Sequence, residues 1–331
     1  MKQISQEEIA RRISISFERE NKVCEQMPQP LLSVRIATYQ HADFIRQCID
    51  SVLSQETDFP FEIVIGEDFS TDGTREIVFG YADRYPEKIR VITADMNVGI
   101  KANGQRLRKA CRGKYIALLE GDDHWCDPGK LQKQVDFLEA NPDYALCYHD
   151  FTMLDAVTGA TGPSPLSEYD RRDADAWILQ TCDIWIQTLT ICHRNVLHEM
   201  EPEHMHVLNG DNFWISLLGG FGKGKWMGDV IKPGVYRQHP GGIWTALDEP
   251  SRIAAQMHSY FWIARYHTRT GNINVARRWK EKVMALAEQG IPIPQEPGVA
   301  RPEQVVAPEL IVQAGSGKPG GWISRLFNRN T

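Results

Sequence analysis

An α/β fold, with a mostly parallel sheet covered on both faces by helices, is what residues 31–123 predict. Two observations carry this: short apolar, β-branched runs alternate with segments of helical periodicity, and every polar cluster falls where an apolar run ends. "LLSVRIATY" reads as a buried strand, and "DFIRQCIDSVLSQ" then spaces Phe44, Ile45, Cys48, Ile49, Val52 and Leu53 at helical intervals. "FEIVIGED" repeats the strand pattern, followed by the turn "FSTDGT" and a helical "REIVFGYADRYP". "IRVITAD", "GQRLRKACRG" and "KYIALLE" supply a third strand, a third helix and a fourth strand. Beyond them come a helix in "DPGKLQKQVDFLEANPD" and a strand in "YALCYHDF".

The organisation along the chain follows from composition. Residues 1–29 read as a polar helical leader closed by the two prolines of "MPQP", and residues 30–250 as the main domain, split into halves 30–125 and 126–250. Within the second half, residues 155–176 are rich in Gly, Pro, Ser and Asp and read as a loop excursion. Residues 251–289 form an amphipathic helical extension, 290–321 a Pro/Gly-rich linker, and 322–331 a short basic amphipathic tail. That tail is expected either to rest on a membrane face as a peripheral contact or to dock on protein.

Composition excludes several function classes. A net charge of −6 over 331 residues leaves no global basic field to hold a nucleic-acid polymer. The seven cysteines are an odd number, scattered, with no C-x-x-C pair, so neither a disulfide framework nor a zinc site is indicated. No apolar stretch approaches the ~18 residues of a membrane span, and the N-terminal stretch lacks the apolar core of a secretory signal. The expectation is a cytoplasmic protein.

In open sheets of this kind ligands bind at the carboxyl ends of the strands. Four polar clusters lie at such ends: "ATYQ" with Thr38 and Tyr39, "GEDFSTDGT" with Asp68, "NVGIK" with Asn97 and Lys101, and "EGDDHW" with Glu120, Gly121, Asp122 and Asp123. Together they describe one site. Neighbouring carboxylates raise one another's pKa unless a cation neutralises them, and Mg²⁺ or Mn²⁺ prefers oxygen ligands shared with substrate phosphates. The acidic cluster therefore reads as a divalent-metal site. Asp68, the first polar residue after its strand, is placed to accept hydrogen bonds from a ribose or base, with the Tyr39 ring to stack on the base. No G-x-G-x-x-G or Walker loop is present.

"LLSVRIATYQHADFIRQCIDSVLSQ", "FEIVIGEDFSTDGT", "NVGI" and "RGKYIALLEGDDHWCDPGKLQKQVDFL", in that order, resemble glycosyltransferase family 2, and the resemblance covers roughly residues 31–245. It implies the GT-A fold and inverting transfer of a sugar from a nucleoside-diphosphate donor, a UDP-sugar for preference, to a hydroxyl of a glycan or lipid-linked acceptor in surface polysaccharide synthesis. It also implies a divalent metal, Mn²⁺ or Mg²⁺, held at the family's D-x-D motif. The chain has Glu120-Gly121-Asp122 there, so Asp122, with Asp123, is expected to coordinate, and Glu120 to contact the donor or stand behind the ligands. The resemblance also assigns the general base to Asp211, beside a helix start in "LNGDNFWISLLGG", and a third metal or diphosphate contact to His239 in "YRQHPGGIW". Arg237 in that segment supplies positive charge to phosphate oxygens, and Gly241-Gly242 allow a lid.

Among other candidates, His204 and His206 read as surface-loop residues, and His193-Arg194 as neighbours of the acceptor side. Trp177, Trp185, Trp214 and Trp244 are candidates for an aromatic sugar platform. A sugar-phosphate nucleotidyltransferase is the rival reading, disfavoured because "ATYQHAD" lacks a Gly-rich basic loop. A glycan-binding module without catalysis is the other.

Overall fold

The computed structural model describes residues 5–23, 26, 28–208 and 210–290. The linker and tail expected beyond residue 290 lie outside the described residues. The described residues belong to one compact unit.

The chain begins with helix α1 (Gln6–Ser14), capped by the Ser5 hydroxyl accepting from the Glu8 N–H, and a two-residue strand β1 (Phe17–Glu18). The leader is thus more than helical. After α1 the chain adds a strand to the sheet, where Glu18 receives the Arg90 guanidinium at 2.6 Å and Arg90 also reaches Glu62 at 2.9 Å. Strands and helices then alternate as expected: β2 (Leu32–Thr38), α2 (Ile45–Leu53), β3 (Phe61–Glu67), α3 (Thr74–Arg84), β4 (Ile89–Thr93), α4 (Ile100–Ala110), β5 (Tyr115–Glu120) and α5 (Lys130–Ala140). Every residue of β3 is buried, the pattern of a parallel strand covered on both faces.

The "YALCYHDF" stretch is two strands, not one. β6 (Tyr144–Tyr148) stays in the main sheet, while β7 (Phe151–Asp155) leaves it at His149-Asp150 and starts a second, small sheet. Strand β8 (Thr161–Gly162) pairs with β7 inside the expected excursion. Next come α6 (Ala176–Thr181), β9 (Cys192–Arg194), α7 (Gly210–Leu218), β10 (Lys223–Trp226) and β11 (Gly234–Gln238). The helical extension is a hairpin of α8 (Glu249–Arg269) and α9 (Ile273–Ala287), turned at Gly271 with φ +78°.

The main sheet has the order β1-β4-β3-β2-β5-β9-β6-β10. Strands β4, β3, β2 and β5 are parallel, whereas β1 and β9 run against their neighbours. Strand order reverses between β2 and β5, which pair up to Ala37 and Glu120. Past those residues the two chains diverge in opposite directions and open a crevice at the sheet's carboxyl edge. The small sheet, β11-β7-β8, lies against this edge through an antiparallel bridge between His124 and Val235. Residue 239, far from residue 122 in sequence, is brought there by that bridge.

Candidate functional site

Glu120 ends β5, and Gly121 lets the next turn pass close to β2. A Cβ on Gly121 would lie 2.6 Å from Thr38 Oγ1 and 2.9 Å from His41 Nδ1. Only glycine fits that approach, which puts Asp122 beside the loop after β2. His239, at the end of β11, meets Asp122 from the other side, with Nε2 at 3.1 Å from Oδ2. His41 Nε2 stands 3.9 Å from the same oxygen, and its Nδ1 lies 3.3 Å from Thr38 Oγ1. One ligand atom from each of His41, Asp122 and His239 lies within 4.8 Å of the others. Two imidazoles and a carboxylate converging in this way fit a divalent transition-type cation.

His41 was not among the residues expected from the sequence, and Asp123 was. Asp123 is turned inward, 2% exposed, and accepts the Arg237 backbone N–H at 2.8 Å. Of the adjacent pair, Asp122 in the turn after β5 meets His41 and His239, whereas Asp123 meets the backbone of β11. Asp123 is therefore a fastener between the β5 turn and β11, and His41 takes its place in the ligand cluster. Burial pushes the Asp123 carboxyl well above its usual range, with Asp122 adding to the effect. Burial opposes ionisation of Asp122 too, but the His239 hydrogen bond and the His41 ring hold its carboxyl below the ordinary value.

Arg237 is braced, not free. Its Nε donates to the Asp122 carbonyl at 2.7 Å, its Nη2 to Gln47 Oε1 at 2.7 Å, and its guanidinium lies 4.7 Å from the Phe44 ring centroid. The Phe44 ring also packs 4.9 Å from that of His239. Arg237 thus orients the turn that carries Asp122.

The loops after β2 and β3 are knitted together. Gln40 accepts the Thr71 N–H at 2.8 Å and donates its own N–H to Ser70 Oγ, while Thr74 Oγ1 takes the His41 N–H at 2.8 Å. Gln40 and Phe69 both have positive φ, 57° and 60°, a strained backbone concentrated at one site. Tyr39 remains 46% exposed, with its ring open for stacking.

Asp68 is 3% exposed, and its two oxygens accept the Val98 and Gly99 N–H groups at 2.8 and 2.9 Å. The expected direct hydrogen bond to a nucleoside is replaced by this task, because the start of α4 has amides that need an acceptor. Asn97 donates to the Asp68 carbonyl at 3.0 Å, so it shares in holding the same turn.

Asp211 lies in the first turn of α7 and accepts the Asn212 N–H at 2.8 Å. Solvent reaches it, yet the protein crowds around it. Burial raises its carboxyl above the usual Asp range, opposed by the Asn212 N–H and the Lys101 ammonium. Lys101 donates to the carbonyls of His204 and Val207, and burial lowers its ammonium to about 8. Glu120 feels the charges of both Asp122 and Asp211 and has Arg35 at 3.9 Å. Burial first, then those two carboxylates, push it up to about 7, although its side chain keeps 37% of its exposure.

Several other expectations are corrected. His204 is not in a surface loop but is 5% exposed, between the rings of Phe213 and Trp214. His206 stacks on Trp262 at 3.8 Å. His193 is 7% exposed on β9, and Arg194 clamps the carbonyls of Leu138, Asn141 and Tyr144, which makes the pair structural. Among the described residues the four tryptophans do not share one platform: Trp185 packs on Phe151, Trp214 on His204, Trp244 is partly buried beyond β11, and Trp177 stands apart, 43% exposed.

A parallel sheet with a reversal crevice, an Asp-centred ligand cluster and a carboxylate at a helix start across from it define a GT-A-type protein. The sequence profile of glycosyl transferase family 2 matches residues 33–199, half of the chain, and the chain belongs to that family. A Mycobacterium tuberculosis protein is 32% identical over 246 residues, 71% of this chain and 65% of its own length, so the chain spans less than two thirds of that relative. An Escherichia coli protein named as a UDP-Glc:alpha-D-GlcNAc-diphosphoundecaprenol beta-1,3-glucosyltransferase is 28% identical over 219 residues, 64% of this chain and 79% of its own. The fold is similar to that of a mannosyltransferase from Pyrobaculum calidifontis solved with GDP-Man and Mn²⁺. The two share a TM-score of 0.52 and 16% identity, over 80% of each chain.

Proposed function

We propose that the protein is a metal-dependent, inverting glycosyltransferase that moves a sugar from a UDP-sugar to a hydroxyl of a glycan or lipid-linked acceptor, in cytoplasmic synthesis of surface polysaccharide. The observation that carries this reading is the convergence of His41, Asp122 and His239 at the sheet's reversal crevice, with Asp211 at the start of α7 near enough to act on Glu120.

In this reading the nucleoside lies over the knitted loops after β2 and β3. Tyr39 stacks on the base, and Thr38 and Asp68 shape the floor, the latter by fixing the turn that carries Asn97 and the start of α4. The diphosphate lies toward Asp122. His41, Asp122 and His239 would hold the divalent ion, whose charge offsets that of the leaving diphosphate. Two imidazoles favour Mn²⁺ over Mg²⁺, which prefers an all-oxygen shell. Asp211 accepts the proton of the attacking hydroxyl, and its raised carboxyl pKa brings it nearer to neutral pH than an ordinary Asp, as a base working there requires. Glu120 feels both Asp122 and Asp211, and its protonated form would donate a hydrogen bond to donor or acceptor. Gly241 and Gly242 after His239 give the following segment freedom to close over the donor and exclude water.

The UDP assignment is supported by the printed name of the Escherichia coli relative, and the metal by the Mn²⁺ of the Pyrobaculum neighbour. The test is a screen of UDP- and GDP-sugars with Mn²⁺ or Mg²⁺, scoring nucleoside diphosphate release, repeated with Asp211→Asn. Donor binding should survive in the variant while transfer is lost. Normal turnover by Asp211→Asn would remove Asp211 from the mechanism.

A further inference from the structure

Away from the crevice, α6 and α9 enclose an open pocket of about 320 Å³ lined by Trp177, Asn274, Arg277, Arg278 and Glu281. The four α9 residues follow i, i+3, i+4, i+7 spacing and so form one polar face of that helix, while Val275, Ala276, Trp279 and Val283 on its other side are buried. Trp177 presents the one large aromatic surface there and is 43% exposed.

The walls are fixed to one another. The Trp279 indole N–H donates to the Gln180 carbonyl of α6 at 2.9 Å, and Asn272 donates to the Gln180 side chain at 2.5 Å. Arg278 is held by Asp183 at 3.1 Å, just past α6. Arg277 beside it is exposed and has no ion pair among the described residues. The result is an open pocket with one aromatic face, flanked by Asn274 and Arg277 and by Arg278 and Glu281, which pair at 3.4 Å. That is the chemistry that recognises a sugar ring: an apolar ring face stacks on an aromatic, and its hydroxyls meet Asn, Arg and Glu.

The pocket is also wired to the reaction side. α6 is six residues, about 9 Å long. At its far end Cys182, held at φ +48°, has its Sγ 3.3 Å from the Asn212 carbonyl, next to Asp211. Lys282 of α9 fixes that turn by donating to the Thr181 and Cys182 carbonyls.

We propose that this pocket is a distal acceptor subsite, binding a sugar unit of the acceptor glycan one helix length from the hydroxyl that reacts at Asp211. The inference rests on the reading of Asp211 as the base. It explains why the helical hairpin is fastened to α6 rather than left as an appendage, and it makes Trp177 and Arg277 determinants of acceptor choice with no part in donor handling.

The test uses the full chain and saturation-transfer NMR with cello-, chito- and galacturono-oligosaccharides, comparing wild type with Trp177→Ala and Arg277→Ala. Both substitutions fall on solvent-exposed side chains and leave the core intact. Binding of at least one oligosaccharide series is expected, weakened about tenfold by Trp177→Ala and measurably by Arg277→Ala, with donor hydrolysis unchanged in both. No binding to any series, or binding indifferent to both substitutions, overturns the subsite. Binding at Trp177 without turnover of any donor would overturn the acceptor role together with the reading of Asp211 as the base, and would leave a sugar-binding pocket alone.

Discussion

Replacing Gly121 by alanine probes how the metal cluster is assembled without touching any of its ligands. The added Cβ would lie 2.6 Å from Thr38 Oγ1, 2.8 Å from Thr38 Cβ and 2.9 Å from His41 Nδ1, all closer than carbon atoms tolerate. Thr38 is 2% exposed at the end of a central strand and cannot swing away, so the turn bearing Asp122 must lift or the His41 ring must move. Overpacking of this kind costs about 2 kcal/mol, which for a chain of this size lowers the melting temperature by about 3 °C. The larger effect should fall on metal binding. The 3.3 Å contact between Thr38 Oγ1 and His41 Nδ1 aims His41 Nε2 at Asp122, and disturbing such a support typically lowers metal affinity about tenfold or more. Mn²⁺ titration followed by electron paramagnetic resonance, alongside thermal melts in chelator, measures both. Unchanged Mn²⁺ affinity and an unchanged melt in Gly121→Ala would refute the close-approach argument.

Other expectations follow from buried charge. Lys101 lowers the Asp211 carboxyl, so Lys101→Met should move the acid limb of the transfer pH profile further upward, whereas a downward shift would contradict the pairing. Lys130 is 0% exposed, bonded to Gln134 Oε1 at 2.6 Å and over the Trp125 ring, and burial lowers its ammonium to about 8. Its folded value lies below the unfolded one near 10.5, so the cost of holding the charge is present below pH 8 and fades as pH rises to 10.5. Relative to Lys130→Met, wild type should gain about 3 kcal/mol in chemical denaturation across that window. A pH-independent difference would show that the ammonium is not desolvated.

The parallel strands and their order of helices were legible because β2, β3 and β5 are apolar runs ended by polar clusters. The structure brings Asp122 and His239 together; Asp122 stood out as a carboxylate after such a run, and His239 only through the resemblance of "YRQHPGG" to the family's segment. His41 was not, although it sits in the quoted "ATYQHAD": it lies three residues past the strand, and only the hydrogen bonds from the 70–74 loop reveal that its ring turns back to the crevice. Asp123 and Asp68 misled for a related reason. A carboxylate's use depends on which backbone amides lie near it, and the amides of Arg237 and of Val98-Gly99 arrive from distant segments. The insertion of β9 between β5 and β6 was equally hidden, because three residues, Cys192–Arg194, carry no strand periodicity.

The central claim is that His41, Asp122 and His239 hold the metal while Asp123 does not, and Mn²⁺ affinity of His41→Ala beside Asp123→Asn tests it most directly. Asn at 123 still offers an oxygen to the Arg237 N–H, so the fold should stand. The account expects His41→Ala to weaken Mn²⁺ binding at least tenfold and Asp123→Asn to leave it near wild type. Retained affinity in His41→Ala with loss in Asp123→Asn would contradict it.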